Sequence, residues 1–338
     1  MTDSPDRLFE LLEDKAVFVT GATGLIGRTL VRSILDYNTR TDRPVRIEAL
    51  VRDRQKAERL FPGIPEDQLR FHIGDVASWQ GTDECVDYII HGASMTSSRG
   101  FVERPVETIR TAVEGTLNML ELARRHTCRG FVYLSSMEVY GTPGTDEKIS
   151  ETHGTDLDPM QVRASYPTGK RLCESLCASY ASEYGVPAKV IRLTQTFGPG
   201  VEYDDGRVFA EFARCALEGR DIVLHTKGET RRSYLYTEDA VRAILTVLLR
   251  GETGLAYNAA NEETYCSVLE MARLVAEGPG EGKIGVRVED SGNAASYGYA
   301  PVLRMNLDTG RLRALGWQPS VGLEDMFRLL TEDMRQRR

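Results

Sequence analysis

The sequence predicts an α/β protein: a doubly wound parallel sheet followed by a smaller C-terminal α/β domain. Three observations carry this. A glycine turn near the N-terminus joins a short apolar run to a segment of helical period. β-branched apolar runs then alternate with helical spacing to about residue 193. Beyond it the strands shorten and the order changes. Residues 1–193, with about 232–260, are read as one domain, and 194–231 with 261–338 as the other.

The elements follow in order. Phe9, Leu11 and Leu12 suggest a short amphipathic lead-in helix. Ala16 to Val19 is a buried-strand run, and Thr20-Gly21-Ala22-Thr23-Gly24 a tight turn. Leu25 to Leu35 has helical spacing, with Leu25, Ile26, Leu30, Ile34 and Leu35 apolar. Glycines at 21, 24 and 27 let backbone approach a phosphate and let the helix pack on the strand. The helix N-terminus offers free N–H groups and partial positive charge to a pyrophosphate. Val45 to Val51 is the second strand. An acidic side chain at its end would bind adenosine ribose hydroxyls, and a basic one a 2′-phosphate. Arg52-Asp53-Arg54 supports both.

Leu69 to Ile73 is the third strand, followed by Gly74-Asp75-Val76, where Asp75 can accept from an adenine amino group or cap the next turn. Val86 to Ile90 is the fourth, ending in His91-Gly92-Ala93-Ser94; His91 is read as strand-end packing. A long helix spans 103–126, and Phe131 to Leu134 is the fifth strand. Residues 142–164 form a polar loop over its end, and a helix opens at Tyr166 and runs to about Tyr184. Ala188 to Leu193 is the sixth strand. Helices are then expected at 206–218, after Asp239, from Ser267 to about Val275, after a cap at Asp308, and from Leu323 to Met334. Short strands fall at Ile222 to Leu224 and Leu255 to Ala259, and Gly278 to Gly298 reads as a surface connection.

Composition excludes several classes of function. A net charge of −8 and a pI near 5.4 speak against general nucleic-acid binding. No apolar run reaches the roughly 18 residues of a membrane helix. The N-terminus is acidic and mixed, unlike a signal peptide. Six cysteines, at 85, 128, 173, 177, 215 and 266, form no CxxC pair. They read as reduced thiols of a cytoplasmic protein with no metal site.

The chemistry lies in the middle of the chain. Tyr166 and Lys170 are four apart and share a helix face. A tyrosine of free pKa about 10 must drop roughly three units to act as a base near neutrality, about 4 kcal/mol. A neighbouring ammonium and an oxidised nicotinamide ring both favour the phenolate. The Ser136 hydroxyl, at the end of the adjacent strand, can hold a substrate oxygen beside Tyr166.

At these residues the chain resembles the extended short-chain dehydrogenase/reductase family, in its nucleotide-sugar epimerase/dehydratase branch. The resemblance rests on TGATGLIG at 20–27, GDV at 74–76, HGAS at 91–94, SSMEVYG at 135–141 and YPTGK at 166–170. It continues through RLTQTFGPG at 192–200, RRSYLYTEDA at 231–240 and LGWQP at 315–319. It implies a Rossmann fold with Ser136, Tyr166 and Lys170 catalytic. It places Gly21, Thr23, Gly24, Leu25, Ile26, Gly27, Arg52, Asp75, Val76, Gly92, Ala93 and Ser94 at the cofactor, with Tyr166 and Lys170. Thr96, Ser136, Met137, Gln195 and Arg232 would meet a nucleotide-diphosphate sugar, whose base the strand at 222–224 would flank. The implied cofactor is NAD, with NADP left open by Arg52. The implied assembly is a homodimer through the helices at 103–126 and 166–184.

There are departures. The branch often has Asn just before Gly115-Thr116, where this chain has Thr111-Ala112-Val113-Glu114, and Asn where this chain has Gln195. Dehydratases of the branch carry Thr-Asp-Glu, and decarboxylases Thr-Ser-Glu, where this chain has Ser136-Met137-Glu138. Glu138 matches the carboxylate that removes a C5 proton. In an extended stretch residues i and i+2 face one side, so Glu138 is expected beside Ser136, partly desolvated, with Met137 packed beneath the loop. Met137 has no proton to give a leaving hydroxyl. The resemblance implies oxidation at C4 of a nucleotide-linked hexose. The 4-ketone is then eliminated, epimerised or decarboxylated, and Glu138 serves as a fourth catalytic residue. The alternatives are a plain C4 epimerase, an NADPH-dependent reductase and a non-enzymatic dinucleotide sensor.

Overall fold

The computed structural model describes residues 6–289 and 302–337. The first half runs α1 (Asp6–Glu10), β1 (Ala16–Thr20), α2 (Leu25–Asn38), β2 (Arg46–Val51), α3 (Arg54–Leu60), β3 (Leu69–Ile73), β4 (Tyr88–His91), α4 (Ser98–Glu103), α5 (Pro105–Arg125), β5 (Gly130–Ser136), α6 (Ser165–Tyr184) and β6 (Ala188–Leu193). The second half continues with β7 (Gln195–Phe197), α7 (Val208–Glu218), β8 (Ile222–Leu224), β9 (Arg231–Tyr236), α8 (Thr237–Arg250), β10 (Ala256–Ala259), β11 (Asn261–Ser267), α9 (Val268–Glu277), β12 (Val286–Val288), β13 (Arg304–Met305), α10 (Gly310–Ala314) and α11 (Leu323–Gln336).

Seven strands form one parallel sheet in the order β10-β6-β5-β4-β1-β2-β3. Every residue of β1 is buried, because helices cover both faces and leave no solvated side to alternate with. On one face Val31, Ile34, Ile244 and Leu248 pack against the sheet from α2 and α8. On the other, Met119 and Leu120 of α5 and Cys173 and Cys177 of α6 pack on Phe18, Phe131 and Tyr133. Strand order reverses between β1 and β4, which opens a crevice at their carboxyl ends. The expected doubly wound α/β fold is therefore present, with a smaller α/β unit beside it.

That unit has its own core of Phe197, Phe209, Phe212, Tyr234, Met271 and Phe327. Its strands β7, β9, β11 and β13 form a second sheet. Strand β9 thus pairs away from the central sheet, and of residues 232–260 it is α8 and β10 that lie with the first half. Arg28 of α2 crosses the junction, donating to the Gly200 carbonyl and, at 3.4 Å, to Glu202. Asp333 of α11 accepts from the Gly200 N–H at 2.7 Å.

Three local expectations change. The helix expected over 103–126 is two, because Pro105 takes the first position of α5 and Arg104 before it sits at φ −134°, ψ 58°. A proline has no N–H to continue a helix and pushes its predecessor out of helical geometry. At the start of α10 the cap position is Thr309, while the Asp308 carboxylate accepts from the Gly310 N–H at 2.7 Å. The connection from Gly278 contains β12, paired in parallel with β8; residues 290–298 lie outside the described residues. The Ser267 cap is a full capping box, with Ser267 Oγ accepting from the Glu270 N–H at 3.1 Å and Glu270 returning the bond at 2.7 Å.

Candidate active site

The turn after β1 is shaped for an anion. Gly21 has φ +78°, and a Cβ there would lie 2.9 Å from the Gly92 carbonyl carbon. A Cβ at Gly27 would collide with the Gly21 carbonyl. Gly24 caps α2 in extended conformation with no side-chain bond, so no side chain covers the N–H groups of Leu25, Ile26 and Gly27. An anion is the natural cap for such an end. These features fit a pyrophosphate, with Thr23 in the turn itself.

The facing turn, Gly92-Ala93-Ser94, is held against the first by one hydroxyl. Thr20 Oγ1 accepts from the Gly92 N–H at 3.1 Å and the Ala93 N–H at 3.0 Å. Its own proton therefore goes to His91 Nδ1, 2.7 Å away. That leaves the His91 proton on Nε2, which bonds Thr116 Oγ1 at 3.2 Å. Burial, aided by the Lys170 charge, pulls the His91 pKa down to about 3, so the ring is neutral. His91 is thus the strand-end packing residue expected.

Just beyond β2, Asp53 caps α3, accepting from the Lys56 N–H at 2.9 Å, and Arg52 lies exposed beside it. Asp75 caps its own turn through the Ala77 N–H at 2.9 Å, the second of its two expected uses. Val76 is buried against Gly115, where a Cβ would approach Val76 Cγ1 to 2.8 Å. Asn118 donates to the Val76 and Ala77 carbonyls at 2.9 and 3.0 Å. Sequence reading missed Asn118, three residues beyond Gly115.

The reactive groups converge at the end of β5. Ser136 begins a 3₁₀ turn over Met137–Tyr140, its Oγ accepting from the Glu138 N–H at 3.2 Å. Tyr166 stands in the first turn of α6, near enough to the Ser136 hydroxyl for that group to favour its phenolate. Lys170, one turn on, is buried and donates to the Leu134 carbonyl at 2.6 Å. Its ammonium lies 4.6 Å from the Tyr133 ring centroid and 5.7 Å from that of Tyr166. Burial pulls the Lys170 pKa down to about 8. Burial, reinforced by the Glu138 charge, pushes the Tyr166 phenol above its ordinary range, while the nearby Ser136 hydroxyl and Arg163 oppose the rise. Without a cofactor the phenol therefore holds its proton.

Glu138 departs from expectation. The backbone curls at Ser136 instead of staying extended, so the i, i+2 argument does not apply. The carboxylate is not a free base: Arg163 Nη2 lies 3.0 Å from Glu138 Oε2. Arg163 comes from the 3₁₀ turn Val162–Ala164 and lies over the Phe101 ring at 4.8 Å. Phe101 in turn stacks on Tyr166 at 4.2 Å and 12°. Neither Arg163 nor Phe101 carried a sequence signal of its own.

The substrate-side residues divide. Met137 is buried, its sulfur accepting from Thr194 Oγ1 at 3.3 Å, within an apolar cluster that includes Val139, Ile149 and Leu307. It packs under the 142–164 loop as expected, which takes its side chain away from the cleft. Thr96 lies exposed before α4. Gln195 on β7 and Arg232 on β9 each bury a polar atom, Oε1 and Nε, with no protein partner. Such atoms await a polar ligand. On β8, Ile222 and Leu224 are buried and Val223 is exposed. Arg192 anchors the covering loop, pairing with Glu174 at 2.6 Å and donating to the Glu151 carbonyl at 2.9 Å. No group of three His, Cys, Asp or Glu among the described residues could hold a metal ion.

A crevice with an anion-binding turn, beside a tyrosine, a lysine and a strand-end serine, defines a dinucleotide-dependent enzyme. The chain belongs to the NAD dependent epimerase/dehydratase family, whose sequence model matches residues 17–260. UDP-glucuronic acid decarboxylase 6 of Arabidopsis thaliana is 31% identical over 328 residues, 95% of this chain and 89% of that protein. UDP-glucuronic acid decarboxylase 1 of Xenopus tropicalis is 32% identical over 240 residues, 71% of this chain and 55% of that protein. UDP-glucose 4-epimerase of Thermotoga maritima, solved with UDP-glucose, superposes with a TM-score of 0.77 at 22% identity over 95% of this chain and 99% of that one. At that identity the likeness speaks for the fold.

Proposed function

We propose that the enzyme oxidises C4 of a UDP-linked hexuronic acid and releases the C5 carboxyl group as CO₂. The observation that carries this is the convergence of Ser136, Tyr166 and Lys170 beside the anion-binding turn; the similarity to UDP-glucuronic acid decarboxylases supplies the substrate. Bound NAD would accept hydride from C4 and later return it. Ser136 holds the C4 oxygen and Tyr166 takes its proton. Lys170 stabilises the resulting phenolate, and the Leu134 carbonyl keeps the ammonium in place. Gln195 and Arg232 bind the diphosphate side. A 4-ketone turns the C5 carboxylate into a β-keto acid, which loses CO₂ without a base at C5. That step does not call on Glu138, which is paired with Arg163 in the free protein. Dehydration is disfavoured because Met137 is buried and has no proton to give. Plain C4 epimerisation is the second reading, since it too needs no free carboxylate.

The test is incubation with UDP-glucuronic acid in deuterated water without added cofactor. The expected products are CO₂ and a UDP-pentose carrying deuterium at C5. An epimeric UDP-hexuronic acid with no CO₂ would favour the second reading. Product formed only in step with NADPH consumption would make the enzyme a reductase.

The cofactor is taken to be NAD. Asp53 spends one oxygen on its helix cap and keeps the other for a ribose hydroxyl, although the exposed Arg52 suits a phosphate. Dinucleotide released from the purified protein by acid should lack a 2′-phosphate on mass spectrometry; its presence would reverse the assignment. The assembly is taken to be a homodimer, because Val102, Val106 and Ile109 on α4 and α5 and Leu172 on α6 are exposed apolar side chains. Light scattering at micromolar concentration should give twice the chain mass, and Val106→Glu should halve it. A cytoplasmic setting accords with six free cysteines.

A further inference from the structure

The pair of Glu138 and Arg163 is the one charged contact built from both catalytic segments. Glu138 lies two residues after Ser136, and Arg163 three before Tyr166. Their side chains are 32% and 37% exposed, so the pair faces open space and is not part of the core. Both charges lie within electrostatic reach of the Tyr166 phenol and act on it in opposite senses. The guanidinium is not free to wander: it lies on Phe101, and Phe101 lies parallel to Tyr166. Its orientation is thereby tied to the tyrosine ring. A guanidinium has five N–H donors in a planar fork that matches a carboxylate two bonds at a time. The bond to Glu138 engages Nη2.

We propose that Arg163 selects the substrate by exchanging the Glu138 carboxylate for the carboxylate on C5 of a hexuronic acid. The choice of hexuronic acid rests on the decarboxylase reading above. A neutral hexose carries a hydroxymethyl group at that carbon and offers no anion for the exchange, so Arg163 stays with Glu138. A uronic acid replaces one carboxylate by another at the same fork. Phe101 keeps the donor plane in place through the exchange. When the carboxyl group leaves as neutral CO₂, Arg163 regains Glu138. Because the guanidinium favours the carboxylate before it is lost, its effect falls on substrate binding more than on the bond-breaking step.

The experiment is calorimetric titration of the holoenzyme with UDP-glucuronic acid and with UDP-glucose, in wild type, Arg163→Met, Arg163→Lys and Glu138→Gln. Wild type should prefer the uronic acid. Arg163→Met should lose roughly ten- to a hundredfold in affinity for UDP-glucuronic acid, as for a charged hydrogen-bonded pair, with UDP-glucose little changed. Glu138→Gln, which removes the competing anion, should bind UDP-glucuronic acid at least as tightly as wild type. Arg163→Met that weakens neither ligand overturns the proposal. If it loses both, Arg163→Lys decides: a selective loss for the uronic acid supports the exchange, and an equal loss overturns it. CO₂ release by wild type reads the reaction separately. Arg163-dependent selectivity without CO₂ would sink the decarboxylase reading and leave the recognition standing. CO₂ release with selectivity unchanged in Arg163→Met and Arg163→Lys would do the reverse.

Discussion

Tyr166→Phe should lower turnover by roughly a thousandfold or more, with nucleotide-sugar and dinucleotide binding nearly unchanged. The substitution removes one oxygen. The ring stays, and with it the stack on Phe101 at 4.2 Å that holds this end of α6 against α4. Ser136 keeps the bond that it accepts from the Glu138 N–H. What disappears is the group proposed to take the C4 hydroxyl proton. Burial and the Glu138 charge hold the Tyr166 phenol protonated in the cofactor-free protein, so it cannot serve as a base until positive charge arrives beside it. The rate should therefore rise with pH through the phenol's ionisation in the holoenzyme, and the Phe variant should lose that limb. A Phe variant retaining half the activity would remove Tyr166 from the mechanism.

Lys170→Met should abolish most turnover and, at pH 7, make the folded protein more stable. Lys170 Nζ is buried with one carbonyl acceptor and two aromatic rings as company. The cost of holding it charged shows in its pKa, lowered from 10.5 to about 8. The sign follows from proton binding. Below about pH 8 the lysine is charged both folded and unfolded, and the full burial penalty is present. Between about 8 and 10.5 the unfolded chain holds the proton and the native state does not, so wild-type stability rises with pH across that window. The penalty corresponds to about 3 kcal/mol at 1.36 per unit. Urea unfolding of both proteins should show the Met variant ahead at pH 7 and the gap closing by about pH 10.5. A Met variant less stable at pH 7 would mean that the Leu134 bond and the ring contacts outweigh the desolvation. Activity falls for a separate reason: the variant lacks the ammonium that favours the phenolate.

Much of the architecture is legible in local pattern. Short apolar runs locate β3, β6 and β8 at their observed bounds, and period-3.6 spacing and cap signals locate α2, α6 and α11 to within a few residues. The glycines at 21, 24 and 27 announce a close approach of backbone, and a Cβ at Gly21 or Gly27 would indeed have no room. Pro105 could have announced the break between α4 and α5, but the apolar spacing continues across it and conceals the stop. The helix-face logic of Tyr166 and Lys170 needs only the 3.6 period, and Ser136 needs only its place at a strand end.

The rest depends on segments far apart in the chain. Arg163 meets Glu138 across 25 residues, and Phe101 meets Tyr166 only because α4 packs beside α6. β12 joins β8 across the α8 and α9 region, and no periodicity in either three-residue strand names the other. At Asp75 the sequence allowed two uses of one carboxylate, and the folded backbone presents an N–H to it, as it does to Asp53, for which the sequence had suggested no cap. At Glu138 the curl begun by Ser136 turned an expected free base into half of an ion pair. The physical reason is the range of the interactions. Propensity, period and glycine sterics act over a few residues and are written in the local order of the chain. The partner of a charge or the neighbour of a ring is set by which surfaces meet when the helices and sheets pack, so the grouping of Ser136, Tyr166 and Lys170 was legible in the sequence alone, and the company it keeps was decided by the tertiary structure.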